Sequence, residues 1–126
     1  MAPVTDNITW VVDDNRSIRD STGAFLKSMG HTVRTCASAM EFLDEFDFVA
    51  GGCLVVDYDM PAMTGLELLE LLRDKGNSIP VIVITGRGDS VLEQRVLAAG
   101  GLKMLHKPVD GIELADLVER AMQAAA

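Results

Sequence analysis

Along the chain, short runs of apolar residues alternate with longer segments in which apolar residues recur at helical spacing. Ile8 to Val12 (ITWVV), Val33 to Cys36, Cys53 to Val56 (CLVV), Val81 to Ile84 (VIVI) and Met104 to Leu105 form five candidate strands. The third and fourth are apolar without a break, as strands covered on both faces are. Between the strands, Ser17 to Met29 places Ile18, Phe25, Leu26 and Met29 on one side of a helix, and Leu66 to Leu72 repeats leucines at the same period. Ser38 to Phe46, Ser90 to Ala99 and Gly111 to Ala124 complete five helical segments, and Gly30, Gly76 and Gly100 follow three of the five as C-terminal caps. There is no internal repeat, low-complexity tract or linker before the alanine-rich end. Five strands alternating with five helices imply a parallel sheet covered by helices on both faces, with right-handed crossovers.

In such a sheet, functional residues gather in the loops beyond the carboxyl ends of the strands. Asp13 and Asp14 follow the first strand, Asp57 ends the third, Thr85 ends the fourth and Lys107 follows the fifth. These five positions are expected to converge on one edge. A strand-ending Asp can simply cap a turn, but a chance arrangement would have to supply the right groups at four separate strand ends. Three clustered carboxylates repel one another unless a cation joins them, and oxygen ligands at an open site suit Mg²⁺. A lysine and a hydroxyl facing that cation complete a pocket for a phosphoryl group.

With 126 residues, 48% of them hydrophobic, the chain is long enough for one buried core. Its 19 acidic residues against 11 basic ones give a net charge of −8, which argues against gripping a nucleic-acid backbone. Nucleic-acid binding would need an output domain outside this segment. Cys36 and Cys53 show neither metal-ligand spacing nor the density of a disulfide framework and are read as reduced core residues. No apolar run reaches the length of a membrane span, and MAPVTDN lacks the order of a signal peptide, so a cytoplasmic protein is expected.

The motifs WVVDDN at 10–15, LVVDYDMPAMTGLELL at 54–69, IPVIVITGRGD at 79–89 and HKP at 106–108, in that order, resemble the receiver domain of two-component response regulators, the CheY-like group. The resemblance covers essentially the whole chain. The ITGRGD wording resembles the FixJ-like subgroup, whose members carry a helix-turn-helix output domain, and WVVDDN resembles the start of NtrC-type receivers. It implies a flavodoxin-like, doubly wound, five-stranded parallel sheet of order 2-1-3-4-5 with five helices. Residues 1–126 would be a single receiver domain, either free-standing or the N-terminal part of a longer regulator of transcription.

The resemblance also implies roles. Asp57 would take a phosphoryl group from the histidine of a sensor kinase, making the chain a phosphoacceptor rather than an enzyme of turnover. Asp14 and Asp57 would bind Mg²⁺ directly, with the backbone carbonyl of Asp59 as a third ligand and Asp13 acting through water. Lys107 and Thr85 would meet the phosphoryl oxygens, and Pro108 would hold the lysine's loop through a cis bond. A homodimer or other partner would meet the face made by the fourth helix, fifth strand and fifth helix. Asp59 and Arg87 would flank the path of an attacking water and could pair across the pocket mouth.

A hydrolase reading competes, because DYD also fits the opening of aspartate-nucleophile phosphohydrolases of the haloacid dehalogenase type, whose second Asp is an acid and base. There the motif continues into Thr or Val, whereas Met60 and Pro61 follow here, and the acidic pair comes after the lysine rather than first. Within the receiver pattern three positions depart: Gly86 stands where Ala is usual, Lys103 where Asp is common, and Met104 where a Tyr or Phe usually reports phosphorylation. His31 is expected at the surface and His106 on the sheet edge, Trp10 in the packing of the sheet, and Met29, Met40, Met60 and Met63 as gap fillers and loop anchors.

Overall fold

The computed structural model describes residues 7–48 and 51–124; MAPVTDN therefore lies, apart from Asn7, outside the described residues. Five strands, β1 (Ile8–Val12), β2 (Thr32–Cys36), β3 (Gly52–Asp57), β4 (Val81–Thr85) and β5 (Lys103–His106), alternate with five helices, α1 (Arg16–Ser28), α2 (Ala39–Glu45), α3 (Gly65–Asp74), α4 (Ser90–Ala98) and α5 (Gly111–Ala124). The strands form one parallel sheet in the order β2-β1-β3-β4-β5. This is the expected flavodoxin-like arrangement.

The two-residue period of the central strands divides the core into two layers. Trp10, Val12, Leu54, Val56, Val81 and Val83 face α2, α3 and α4, where Phe42, Leu69, Leu72 and Val96 meet them. Val11, Val55, Ile82 and Ile84 face the other way, against Leu26 of α1 and Leu114 and Val118 of α5. Every residue of β3 and β4 is buried, which is why both read as unbroken apolar runs. Trp10 has a packing role, edge-on to Phe42 and Phe46, with the Arg34 guanidinium 4.8 Å above its ring.

Side-chain caps define the helix starts. Asn15, Ser38, Thr64 and Asp89 each accept from a backbone N–H in the first turn, and at α3 Thr64 and Glu67 satisfy each other's backbone as a capping box. Gly30, Gly76 and Gly100 all have positive φ, as caps require. Gly65 matters to the site for another reason. A Cβ there would lie 2.8 Å from the Asp57 carbonyl oxygen and 3.1 Å from Tyr58 Cα, so α3 can start against the end of β3 only because position 65 is glycine. Gly65→Ala is expected to destabilise the fold by about 1–3 kcal/mol, the usual cost of forcing extra bulk into a packed site, read in a denaturant melt.

Some expectations about individual side chains are corrected. Of the α1 set, Leu26 is fully buried, but Ile18 is 39% and Met29 51% exposed. The helix is seated at Gly23, where a Cβ would come within 3.2 Å of Thr35 Cγ2, so the buried stripe is Gly23 and Leu26. Ile18 lies in the first turn beside an open cleft, and Met29 is the C-cap beyond the last turn. Met40, early in α2, is likewise exposed; only Met60 and Met63 act as anchors, against the first core layer. His31 is not a surface residue: its side chain is mostly covered and its Nε2 lies 3.8 Å from Glu119 of α5. His106 is exposed on the edge strand, as expected. Both cysteines are free and buried, and burial pushes each thiol up to about 12. Among the described residues no helix is long and apolar enough to cross a membrane.

Candidate functional site

The parallel register brings the carboxyl ends of the strands to one edge. Val12 pairs with Val56, Asp57 with Ile84 and Thr85 with His106, so the residues that end or follow β1, β3, β4 and β5 stand side by side. Backbone bonds then hold the loops: Tyr58 N–H donates to the Ile84 carbonyl at 2.7 Å, and Lys107 N–H to the Thr85 carbonyl at 2.8 Å. The Lys107–Pro108 bond is cis, as expected.

Asp13, Asp14 and Asp57 offer carboxylate oxygens that all lie within 4.8 Å of one another. Asp13 and Asp57 are only 6% and 4% exposed, whereas Asp14 faces solvent. Lys107 Nζ stands 3.0 Å from Asp57 Oδ1. Burial raises the Asp57 pKa above the usual carboxylate range, opposed by Lys107 and reinforced by Asp13. Burial likewise raises Asp13, against the N–H of Asn15, which donates to its Oδ1 at 2.8 Å. For Lys107, burial favours the neutral amine, but the bond to Asp57 and the charges of Asp57, Asp13 and Asp59 outweigh it and the pKa is raised.

This donor set fits a hard divalent cation. All three groups are oxygen ligands, one of them opens to solvent, and among the described residues the buried Asp57 Oδ1 has no neighbour to satisfy it beyond the Lys107 ammonium at 3.0 Å. A second group, Cys36, Glu41 and Glu45, also brings its ligand atoms within 4.8 Å. It does not fit a metal as well, since Glu41 accepts from Ala37 N–H, Glu45 is held by Arg34, and the Cys36 thiol stays protonated.

The Asp59 carboxylate stands apart from the acidic trio. Its Oδ1 accepts from Arg87 Nε at 3.1 Å, the pairing anticipated across the pocket mouth, and its Oδ2 lies 3.4 Å from the Thr85 hydroxyl. Thr85 is fully buried and its Oγ1 also accepts from Arg87 N–H at 3.2 Å. Two further features were not anticipated. Arg19 of α1 donates from Nη1 to the Asp13 carbonyl at 2.8 Å, steadying the β1–α1 turn from a position that carries no motif. A cleft of about 540 Å³ runs from Asp57 and Lys107 past Ile18, Pro108 and Val109.

A family model described as the response regulator receiver domain matches residues 9–119. The response regulator protein TmoT of Ectopseudomonas mendocina is 30% identical over 120 residues, which are 95% of this chain and 54% of that protein. The transcriptional regulatory protein FixJ of Rhizobium meliloti is 37% identical over 120 residues, again 95% of this chain and 59% of the relative. The crystal structure of FixJ-N superimposes with a TM-score of 0.87 at 34% identity, covering 100% of this chain and 98% of that one. The chain thus spans a little over half the length of these two relatives.

Proposed function

This chain belongs to the response regulator receiver domain family, and from that premise we propose that Asp57 accepts a phosphoryl group from the phosphohistidine of a sensor histidine kinase. The observation that carries the reading is the setting of Asp57: buried at the end of β3, 3.0 Å from Lys107 Nζ and clustered with Asp13 and Asp14. A carboxylate oxygen of Asp57 attacks phosphorus, the new P–O bond forms as the P–N bond to the imidazole breaks, and the imidazole nitrogen keeps the bonding pair. Lys107 neutralises charge on the phosphoryl oxygens, and Thr85 turns its hydroxyl toward the product. Asp14, Asp57 and the backbone carbonyl of Asp59 would hold Mg²⁺, with Asp13 through water; when bound, the ion supplies electrostatic stabilisation of the transferring group. The test is hydroxylamine-labile labelling of Asp57.

Family membership supports the receiver over the hydrolase, and so does the placement of Asp59. An acid and base for turnover would have to serve the leaving oxygen and the attacking water. Here its carboxylate is engaged by Arg87 and Thr85. The same pairing is expected to govern product lifetime. The pair is exposed and of small value to stability, but its members stand two residues beyond Asp57 and Thr85 and pair with each other, so Arg87→Ala should change the aspartyl-phosphate half-life severalfold. Equal decay in wild type and variant would remove that role.

The reading extends to a wider frame. Residues 1–126 act as one cytoplasmic receiver unit that touches nucleic acid only through an output domain beyond this chain, as the name of FixJ, a transcriptional regulatory protein, suggests. The sequence past Ala126 in the parent gene decides that point. Self-association would use the face of α4, β5 and α5, where Val91 and Leu102 are exposed. Met104 lies inside this face, 3% exposed, and its flexible thioether separates two switch positions by less free energy than a ring would. Association measured with and without beryllofluoride should therefore switch less sharply in wild type than in Met104→Tyr. Equal sharpness would shift the readout to Thr85 and its loop.

A further inference from the structure

The hydroxyl of Thr85 is already committed to groups other than Asp57. It accepts from Arg87 N–H at 3.2 Å and donates to Asp59 Oδ2 at 3.4 Å, while the other oxygen of Asp59 accepts from Arg87 Nε at 3.1 Å. A hydroxyl has a single proton, so it cannot donate fully to Asp59 and to a phosphoryl oxygen on Asp57 at once. Its surroundings leave little other freedom. Thr85 is fully buried, its carbonyl is held by Lys107 N–H, and the backbone of Gly88 lies against its methyl: a Cβ at Gly88 would stand 2.6 Å from both Thr85 Cγ2 and Met104 Cε.

We propose that Asp59, held in place by Arg87, is a positioning residue that retains the Thr85 proton in the unmodified domain and thereby sets how readily Thr85 leaves for a phosphoryl group on Asp57. The proposal rests on Asp57 being the phosphoacceptor. It gives Asp59 and Arg87 a task separate from screening the attacking water, since retention acts before any phosphoryl group is present. It also makes the restraint recoverable. When Thr85 departs, Asp59 and Arg87 still hold each other, so the acceptor waits in the same place for the hydroxyl to return.

The test uses the 126-residue chain with ¹³C-labelled threonine methyls, the Thr85 signal being assigned with Thr85→Ser. Spectra are taken without ligand, and then through a titration with beryllofluoride in the presence of Mg²⁺. Without ligand, Asp59→Ala should move the Thr85 methyl signal toward the position it takes in the beryllofluoride-bound wild type. Its titration midpoint should fall by about threefold to tenfold, the range for loss of one hydrogen bond. Arg87→Ala should move both readouts in the same direction by less, and the double variant no further than Asp59→Ala, because the two act through one contact. Asp59→Asn, which keeps an acceptor oxygen, should stay near wild type. If wild type responds to beryllofluoride while Asp59→Ala shows an unmoved ligand-free signal and an equal midpoint, the retention proposal is overturned and the phosphoacceptor stands. If the wild-type Thr85 signal does not respond, and Asp57→Asn behaves identically, the phosphoacceptor reading falls and the proposal with it.

Discussion

Asp57→Asn should lose covalent phosphorylation by about 10⁴-fold or more, the scale of loss when a nucleophile is removed. In wild type, Mg²⁺ with a small donor such as acetyl phosphate should give an acid-stable, hydroxylamine-labile label of up to one group per chain. The amide is nearly the same size as the carboxylate and leaves the buried position packed, so lost labelling reports chemistry and not misfolding. It has no anionic oxygen to attack phosphorus, and it also removes the charge that Lys107 faces at 3.0 Å. Labelling of the variant at the wild-type level would show that another residue is the acceptor. Fast turnover of unrelated phosphate esters by wild type would return the hydrolase to consideration.

Millimolar Mg²⁺ is expected to stabilise the fold strongly near pH 8 and hardly at all near pH 4. Burial raises the pKa of both Asp13 and Asp57 above their ordinary 3.8. Each acid therefore binds its proton more tightly in the folded chain than in the unfolded one. Stability then falls as pH climbs from the ordinary carboxylate range through the raised values, and above them the whole penalty of charge in the cluster is present. A bound cation offsets that penalty only where the acids are ionised. At tenfold excess over its dissociation constant Mg²⁺ would contribute about 1.4 kcal/mol, or about 4–6 °C in melting temperature for a chain of this length. Asp14→Ala should lose most of that shift. Asp13→Asn should do something less obvious: in the absence of metal it should raise the melting temperature at neutral pH, since it removes a buried charge while its amide oxygen can still accept from Asn15 N–H. A lowered melting temperature in that variant, or a Mg²⁺ shift unaffected by Asp14→Ala, would count against the acidic site.

Much of this was legible because the relevant signals are local. The unbroken runs CLVV and VIVI announce strands buried on both faces, and β3 and β4 are buried at every residue. The positions of Asp13, Asp57, Thr85 and Lys107 relative to their strands placed them on one edge once the sheet was taken as parallel, and the register does align them. The raised acids follow first from burial at the strand ends and only secondarily from their convergence. Side chains whose environment is set by another element were less legible. Helical period put Ile18 and Met29 with Leu26, but α1 rests on the sheet through Gly23, and the ends of the stripe overhang. His31 reads as a polar residue in a turn, whereas in the fold its side chain is mostly covered and lies 3.8 Å from Glu119 of α5, an element distant in sequence.

By itself, then, the sequence determined the alternation of elements, the two-sided burial of the central strands and the chemical identity of the groups at their ends. It did so because periodicity and end position depend only on neighbours along the chain. The tertiary structure alone decided how those groups are paired: Lys107 at 3.0 Å from Asp57, Arg19 on the Asp13 carbonyl, and the Thr85 hydroxyl turned to Asp59. Thr85 and Asp59 are 26 residues apart in the chain and meet at 3.4 Å. That bond is directional over a few tenths of an ångström, a scale set by how two loops pack and one on which residue spacing carries no information.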